Sequence, residues 1–332
     1  MRAVVLNEYG DTDVLRVVDV ADPIAGPEEV LVEVVATALN RADLLQRRGL
    51  YPSPPLAGFP VPAPEIPGME FAGRVIALGE RVSALKVGDE IMGIVGGGAY
   101  AERLVVHERQ TMPLPGSVSI RDAAAIPEVF ITAFDALVVQ GGLTSGRTAL
   151  VHAGASGVGT AAIQIAKAIG ARVIVTASAG KLAACETLGA DLAIDYATAD
   201  FVEGALGFTG GEGVDVVLDV IGGDYVNRNI SALRVGGRIV QVGTMGGGRT
   251  EVNIGMLLPK RATIIGTVLR ARPIEEKIVI TQRFAAEMLP LFDQGRLSPV
   301  IDSRFSLDDI ASAQSAMESN ANTGKILIEV CD

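Results

Sequence analysis

One short stretch of the chain constrains its fold more than any other, because a strand pattern, a glycine turn and a helix pattern follow one another in it. Residues 148–153 form a mostly apolar run that predicts a buried strand. From Thr160 the apolar residues recur at helical spacing, and Gly170 marks the predicted end of that helix. The turn between them has almost no side chains and comprises Gly154, Ala155, Ser156, Gly157, Val158 and Gly159. This order predicts a phosphate-binding turn, since glycines let the backbone approach a pyrophosphate and the N–H groups of the helix start face its charge.

The turn departs from the usual dinucleotide fingerprint at one position. That fingerprint is G-x-G-x-x-G, and here Gly154 and Gly159 take the first and third glycine positions while Ser156 takes the second. A serine hydroxyl can donate to a phosphate oxygen, so the departure is compatible with binding. The alternative is a purely structural turn, but the strand before it and the helix after it favour a nucleotide site.

The next predicted strand, residues 172–177, indicates which dinucleotide is bound. An NAD site carries an acidic residue about 20 residues beyond the glycines, where it binds the ribose hydroxyls. This chain has Ser178 there, followed by Lys181. An uncharged donor and a lysine favour the 2′-phosphate of NADPH. The alternative for Lys181 is a solvated residue that opens the next helix.

Composition and charge narrow the class of protein. The 332 residues favour two domains, and 49% hydrophobic residues with 39 glycines suffice for a large α/β core. A net charge of −11 argues against binding to nucleic acid or to an anionic membrane. No apolar run is long enough to span a bilayer, and the N-terminus has no secretory pattern. The two cysteines, Cys185 and Cys331, form no disulfide framework or metal motif, so we expect a cytoplasmic location.

The pattern of predicted elements changes near residue 123. The first part is β-rich, with strands expected at 3–6, 15–19, 29–38, 73–78 and 104–106. A proline-rich tract, 51–67, predicts a long extended loop. Strands then alternate with helices, which predicts a doubly wound, mostly parallel sheet from strands 148–153, 172–177, 192–195, 214–219, 238–242 and 263–267. A long helix at 275–294 precedes a strand–helix–strand tail, 297–330, which we expect to rejoin the first domain.

Many short motifs in a fixed order carry a family resemblance. They are NRAD at 40–43, RGLYP at 48–52, PGMEFAG at 67–73, VGDEIMG at 87–93, GAYAE at 98–102, AAAIP at 123–127, TA at 132–133, the glycine turn, LRAR at 269–272 and GKI at 324–326. Over its whole length the chain resembles the medium-chain dehydrogenase/reductase superfamily, and within it the zinc-free NADPH:quinone oxidoreductases of the zeta-crystallin group. The resemblance implies an α/β fold with a Rossmann domain, 123–267, and a β-rich GroES-like catalytic domain built from both chain ends, 1–122 and 268–332. It also implies a cleft between the two and a homodimer.

The resemblance permits a comparison with zinc-dependent relatives. These have a cysteine where this chain has Asn40 and a histidine where it has Met69. The histidines of this chain, His107 and His152, have no partners at ligand spacing, so we interpret them as ordinary hydrogen-bonded residues. Catalytic zinc needs about three protein ligands. The sequence therefore predicts no metal site.

Loss of the metal favours a conjugated acceptor, because hydride addition to a quinone or enone spreads the new charge through its π-system. The candidate donors to the acceptor oxygen are the Asn40 amide and the Tyr51 phenol. The alternatives are that Asn40 caps a helix and that Tyr51 anchors the proline-rich loop. Asp43 is expected to act at a helix start or in an ion pair with Arg48.

The resemblance also implies further cofactor contacts. Thr132 is expected near the nicotinamide, and the backbone around Gly243 and Leu269 is expected to hold its ring and carboxamide. Tyr196 matches a tyrosine that flanks the 2′-phosphate. Lys325 either reaches a phosphate or is structural, and Asp219 is expected to be a structural turn residue.

Three functions remain open on the sequence. The first is an NADPH-dependent quinone reductase. The second is an NADPH-dependent reductase of enals, enones or enoyl thioesters, although no basic cluster for a CoA phosphate is present. The third is a non-enzymatic crystallin-like or RNA-binding role, which the acidic balance disfavours. The uncharged segment 263–267 is predicted to be the last strand of the sheet, and an exposed edge strand must be covered or paired. The resemblance implies that it pairs with the same strand of a second copy in a homodimer.

Overall fold

The computed structural model describes residues 1–51 and 65–331. The chain divides into two compact units, one formed by Met1–Ile131 with Leu269–Asp332 and the other by Thr132–Val268. Most of the proline-rich tract expected to form a long loop lies outside the described residues. Within the described ranges no helix is long and apolar enough to cross a membrane.

The strands of the described residues are numbered in chain order. They are β1 (Arg2–Val5), β2 (Arg16–Asp19), β3 (Glu29–Ala38), β4 (Glu70–Leu78), β5 (Glu90–Ile94), β6 (Arg103–His107), β7 (Thr111–Pro113), β8 (Thr148–Val151), β9 (Arg172–Ala177), β10 (Leu192–Asp195), β11 (Val214–Asp219), β12 (Leu233–Gln241), β13 (Thr263–Gly266), β14 (Ile301–Ser306) and β15 (Lys325–Glu329).

The α-helices are numbered in the same way. They are α1 (Arg41–Arg47), α2 (Ile120–Ala123), α3 (Pro127–Phe134), α4 (Gly157–Ala168), α5 (Leu182–Thr187), α6 (Phe201–Phe208), α7 (Tyr225–Ala232), α8 (Leu257–Lys260), α9 (Ile274–Asp293) and α10 (Ile310–Glu318). A π-helical stretch, Asp135–Gln140, follows α3 directly. The single-turn 3₁₀ segments are Thr12–Val14, Glu108–Gln110, Ala179–Lys181, Ile254–Met256 and Leu307–Asp309.

The first unit is organised around β3. Its sheet has the order β14-β15-β3-β4-β5-β7, and β6 also pairs with β3. The strand is long enough to pair antiparallel with β4, with β6 through its first half, and with β15 through its last residues. Val30, Val32 and Val34 alternate along one face and are fully buried with Phe71 and Val75, which is the period-2 pattern of a half-buried strand. Because β15 completes this sheet, the unit is built from both ends of the chain, as expected.

Two strands of this unit, β5 and β7, were not expected from the sequence, and two others, β4 and β6, are longer than expected. β5 mixes a glutamate and a glycine with its apolar residues, and β7 ends at a proline, so neither has a clear strand pattern. β4 begins at Glu70 instead of residue 73. This early start matters, because it places the Glu70 carboxylate, fully buried, in the sheet.

The second unit confirms the doubly wound parallel sheet. All its strands run parallel in the order β10-β9-β8-β11-β12-β13. β9, β10 and β11 have the expected bounds. β12 begins five residues earlier than expected, at Leu233, with an irregular register opposite β11. β8 ends at Val151 instead of residue 153, because Ala153 adopts a left-handed φ of 55° and turns the chain into the glycine segment.

Candidate active site

The glycine turn has a geometry that tolerates no side chain at two positions. A Cβ on Gly159 would lie 2.3 Å from the carbonyl oxygen of Ala153, and one on Gly154 would lie 2.6 Å from Cβ of Val175. Ser156 is the N-cap of α4, and its Oγ accepts a hydrogen bond from the N–H of Gly159 at 3.0 Å. Its hydroxyl proton is still available to donate. The first turn of α4 holds no acidic residue, so the turn suits an anion such as a pyrophosphate.

A buried network of hydrogen bonds lies next to this turn, at the ends of the neighbouring strands. His152 Nε2 lies 2.7 Å from Oδ1 of Asn229, and its Nδ1 lies 3.0 Å from Oγ1 of Thr176. Asn229 in turn donates to Asp219, which accepts the N–H of Ile221. Burial lowers the pKa of His152, so the ring is neutral. His152 and Asp219 are thus structural residues that join the ends of β8, β9 and β11.

The residues expected at the 2′-phosphate lie around the ends of β9 and β10. Ser178 follows β9, and its carbonyl accepts the N–H of Lys181 at 2.9 Å, so the two residues close one turn. The N–H of Tyr196, which follows β10, donates to Ala177 O at 3.3 Å, and the tyrosine side chain is exposed. No acidic residue occurs from Ser178 to Lys181.

The residues expected near the nicotinamide belong to both units. Thr132 is buried at the start of the second unit, and Gly243 follows β12, with its carbonyl accepting from Nε2 of Gln241 at 2.6 Å. Leu269 is buried in the first unit, where it lines a small cavity.

Lys325 forms the centre of a buried charged cluster in the first unit. Its Nζ lies 2.8 Å from Oε1 of Glu70, 2.7 Å from Oδ1 of Asn40 and 2.5 Å from the Leu39 carbonyl oxygen. Asn40 Nδ2 donates to the same Glu70 oxygen at 2.8 Å. Three acceptors surround the three protons of the ammonium, which favours the structural alternative for Lys325 over a phosphate contact.

Asn40 uses its whole amide inside this cluster. Besides the contacts to Lys325 and Glu70, Nδ2 lies 3.3 Å from the Ala38 carbonyl oxygen, and the residue is the N-cap of α1. The amide therefore has no spare proton for an acceptor in this arrangement. Of the two sequence interpretations, the geometry favours a helix-start residue, and the donor role stays a prediction.

Asp43 is a buried carboxylate beside this cluster. Its Oδ2 accepts from the Tyr100 hydroxyl and from the Asn40 N–H, each at 2.7 Å, and its Oδ1 has no partner within the described part of the chain. Burial raises the pKa of Asp43 to about 6, against the lowering effect of these two hydrogen bonds. The first alternative for Asp43 is confirmed, because its carboxylate accepts the Asn40 N–H at the start of α1. The alternative ion pair with Arg48 is wrong, because Arg48 lies at the other end of α1 and binds Glu318 instead.

Tyr51 is half-buried against an arginine. The Arg270 guanidinium carbon lies 5.2 Å from the centre of the tyrosine ring, and Arg270 donates to the Tyr51 carbonyl at 3.2 Å and to the Gly96 carbonyl at 2.8 Å. Burial, and then the charge of Glu128, raise the pKa of the phenol. Tyr51 is therefore a neutral hydroxyl that can donate a hydrogen bond.

Sequence reasoning missed two ionisable residues of the first unit, Glu128 and Lys277. Both line the cavity that Leu269 lines. The N–H of Glu128, at the start of α3, donates to Oε2 of Glu70 at 2.8 Å. A signal was present, since Glu128 is the one charged residue in the apolar run 123–134. Nothing in the sequence linked it to Lys277, which is far along the chain on α9.

Comparison with known families and proteins agrees with this geometry. The family described as alcohol dehydrogenase GroES-like domain matches residues 26–116, and the family described as zinc-binding dehydrogenase matches residues 157–286. The human synaptic vesicle membrane protein VAT-1 homolog is 33% identical, covering 99% of this chain and 86% of its own length. Human quinone oxidoreductase is 30% identical, covering 99% of this chain and 97% of its own length. The chain belongs to the medium-chain dehydrogenase/reductase superfamily.

Two further superfamily members are similar to this chain over almost its whole length. The tomato (Solanum lycopersicum) 2-methylene-furan-3-one reductase is 32% identical over 99% of this chain and 79% of its own length. The crystal structure of Escherichia coli quinone oxidoreductase complexed with NADPH matches with a TM-score of 0.88 and 29% identity, covering 99% of this chain and 100% of that one. The fold expected from the resemblance is thereby confirmed. As a medium-chain dehydrogenase/reductase, the chain is an oxidoreductase of a family that binds a nicotinamide cofactor.

Asn40 and Met69 stand where zinc-dependent relatives have metal ligands, and both have other contacts in this structure. Asn40 is bonded to Lys325, and the buried Met69 lines the cavity with Glu128. Over residues 1–51 and 65–331, no group of three or more His, Cys, Asp and Glu side chains is arranged to hold a metal ion.

Proposed function

We propose that this protein reduces quinones with hydride from NADPH and does so without a metal ion. The observation that carries the cofactor assignment is the turn from Ser178 to Lys181, which contains no acidic residue and has Tyr196 beside it. In an NAD site an acid would bind the ribose hydroxyls at this point. A hydroxyl, an ammonium and an aromatic ring instead suit a phosphate.

The chain's own residues fit such a cofactor, since the turn would admit no Cβ at Gly154 or Gly159. When bound, NADPH supplies the hydride. The start of α4 and the Ser156 hydroxyl hold the pyrophosphate, and Ser178, Lys181 and Tyr196 hold the 2′-phosphate. The residues proposed to orient the nicotinamide are Thr132, Gly243 and Leu269. In this proposal the unit built from both chain ends binds the acceptor.

Metal independence is supported by the cluster around Lys325. Its ammonium already neutralises the Glu70 carboxylate and occupies the Asn40 amide oxygen. A dication there would have to displace a buried ammonium with three partners. Protein purified in chelator should keep its full rate and contain no stoichiometric zinc by elemental analysis. A rate that falls with chelator and returns with zinc would contradict this part of the proposal.

The quinone assignment rests on the likeness to quinone oxidoreductases and is tested by a panel of acceptors. NADPH oxidation should be followed with an ortho-quinone, a para-quinone, a 2-alkenal and an enoyl-CoA under the same conditions. We expect the highest kcat/KM for one of the quinones. The likeness to a furanone reductase favours a second candidate, an enone or enal reductase, and a higher kcat/KM for the 2-alkenal would select it. Absence of NADPH oxidation with every acceptor would overturn the proposal.

The preference for NADPH over NADH is a prediction for Lys181. A charge-assisted hydrogen bond to a phosphate contributes roughly 1.5–3 kcal/mol. Lys181→Ala should therefore weaken NADPH binding by about 10- to 100-fold and leave NADH binding nearly unchanged. Binding is measured by the change in fluorescence of the reduced cofactor or by calorimetry. Lys167→Ala, which removes a lysine paired with Asp191 in the same unit, is the control. Equal losses for both cofactors would show that Lys181 does not contact the 2′-phosphate.

A further inference from the structure

The first unit contains a small cavity whose walls combine apolar and ionisable side chains. Its lining residues are Met69, Ile94, Val95, Glu128, Leu269, Arg270 and Lys277. The cavity volume is about 10 Å³, which is room for one oxygen atom of the size of a water molecule. Four of these side chains are apolar. The other three are ionisable, so the cavity is suited to hold a polar atom.

Two of the three ionisable groups have hydrogen-bonding capacity to spare. The Lys277 side chain is only 6% exposed, and no hydrogen-bond partner of its ammonium occurs in the described ranges. The same holds for the Glu128 carboxyl, although the N–H of that residue is bonded to Glu70. Arg270 differs, because it is bonded to the carbonyls of Gly96 and Tyr51. Two ionisable groups that line one cavity and have unused hydrogen-bonding capacity are suited to bind a polar ligand atom there.

The charges around Glu128 determine its protonation state. The carboxyls of Glu70 and Asp43 oppose its ionisation, whereas the cations Lys325 and Arg270 favour it. Lys277 and the Tyr51 phenol face the same region. Burial and then the Glu70 charge raise the pKa of Glu128 to about 8, so the carboxyl carries its proton at neutral pH. Burial, and then the charge of Arg270, lower the pKa of Lys277.

We propose that Glu128 is a catalytic acid, which donates its proton to the oxygen of the acceptor when that oxygen enters the cavity. This inference rests on the proposed function and adds the source of the proton. Hydride addition forms a new bond to the acceptor and leaves an electron pair on its carbonyl oxygen. The O–H bond of Glu128 breaks, the proton joins that oxygen, and a carboxylate remains. The Lys277 ammonium stabilises this carboxylate until water returns the proton.

The closest rival donor is Tyr51, and the two make different predictions. A phenol whose pKa lies above 10 stays protonated throughout the neutral range, so its reaction shows no change near pH 8. A carboxylic acid that titrates near pH 8 loses its proton there. The single-turnover rate of the wild-type protein should therefore fall as the pH rises above about 8.

The decisive variant is Glu128→Gln, which keeps the backbone bond to Glu70 and the size of the side chain. Its single-turnover rate at pH 7 should be about 10- to 100-fold lower, at the lower end of what a general acid contributes because conjugation already spreads the charge. The single-turnover rate of this variant should no longer decrease above pH 8. Glu287→Gln, an exposed glutamate paired with Arg283 on α9, should behave as wild type, and Tyr51→Phe should retain the fall.

A second measurement needs no turnover. The infrared spectrum of the protein without cofactor should contain the carbonyl stretch of a protonated carboxylic acid that disappears between pH 7 and pH 9. The Glu128→Gln protein should lack that titrating band. If Glu128→Gln does not fold, Glu128→Asp supplies the kinetic test, because it keeps the carboxylic acid on a side chain one methylene shorter. Its single-turnover rate should be lower than that of the wild type, and the decrease of the rate above pH 8 should remain.

The outcomes separate this inference from the proposed function. A wild-type protein that reduces no acceptor overturns both, whereas an active Glu128→Gln protein with wild-type rate and pH profile overturns only the inference. Absence of the titrating infrared band also overturns it, since the carboxyl would then not hold a proton to give. Loss of rate with an unchanged pH limb would assign the acid to another group and make Glu128 structural.

Discussion

At the scale of single residues, the buried pair of Lys325 and Glu70 dominates the first unit. Both side chains are almost completely withdrawn from water, at 3% and 0% exposure. Each charge is tolerable only because the other is present and because Asn40 and the Leu39 carbonyl satisfy the remaining hydrogen bonds. Removal of one partner leaves a buried charge that nothing compensates.

Lys325→Met is therefore expected to lower the free energy of unfolding by about 3–5 kcal/mol, the range observed when one partner of a buried pair is removed. Urea denaturation followed by circular dichroism measures this loss. The double variant Lys325→Met/Glu70→Gln should recover much of it, because no lone charge is left. Arg74→Met, which breaks the exposed pair with Glu90, should cost no more than about 1 kcal/mol. A Lys325 variant as mild as the Arg74 control would contradict this account.

The Tyr51 phenol is a second single residue whose removal has a measurable consequence. We predict that Tyr51→Phe lowers the single-turnover rate with quinones by roughly tenfold, less than the 10²–10³ of a rigid oxyanion donor, since conjugation already spreads the charge. NADPH affinity should not change. Stopped-flow absorbance of the cofactor gives the rate, and fluorescence titration gives the affinity. An unchanged rate would reduce Tyr51 to a packing residue held by Arg270.

At the scale of elements, the turn before α4 depends on a missing side chain. Gly159→Ala places a Cβ against the Ala153 carbonyl and the Gly154 backbone, both of them parts of the turn that cannot move aside separately. We expect NADPH binding to weaken by about 100-fold or more, because the N–H groups at the helix start are displaced from the phosphate. Gly207→Ala, in α6, is the matched control, since nothing lies within 4 Å of its added Cβ. Calorimetric titration with NADPH compares the two.

The edge strand β13 is the second element with a testable consequence. It pairs with β12 on one side, and no strand of the described residues pairs with its other side. Large apolar side chains are exposed in the same part of the chain, namely Val252, Ile254, Leu258, Ile264 and Val268. Such an edge favours pairing with a second copy, so a homodimer remains our proposal.

Ile264→Lys is expected to convert that dimer to monomers without unfolding the chain, because the side chain is 40% exposed and a charge on an edge strand opposes pairing. Sedimentation velocity at micromolar concentration measures the change, with circular dichroism as the check on folding. Val279→Lys, an exposed apolar residue on α9, should leave the assembly intact. A wild-type protein that sediments as a monomer would refute the proposal.

At the scale of the whole molecule, the sequence predicted the elements whose signal is local. β9, β10 and β11 are short apolar runs bounded by turn residues, and their limits were predicted correctly. β5 and β7 carry a glycine, a charge or a proline, and they are strands only because neighbouring strands hold them in the sheet. Tertiary pairing of this kind leaves no periodic pattern in the sequence.

The candidate site was predictable to the extent that it uses motifs. The glycine turn and the residues after β9 follow from spacing alone. The cavity of Glu128 and Lys277 does not, because its walls come from chain segments that only the fold brings together. The expected pair of Asp43 with Arg48 failed for a related reason, since residues five apart on a helix do not share a face.

The pairing of β3 with β15 also governs when the first unit can form. A nascent chain exposes β3 early, yet β15, which pairs with the end of β3, is synthesised only after the whole second unit. The Glu70 carboxylate likewise waits for Lys325 before it can be withdrawn from water. The parallel sheet of the second unit is complete by β13, so that unit can fold while the ribosome is still at work. The first unit must therefore remain open, with an unmatched acid and an uncovered strand, until the segment that contains β15 has been synthesised.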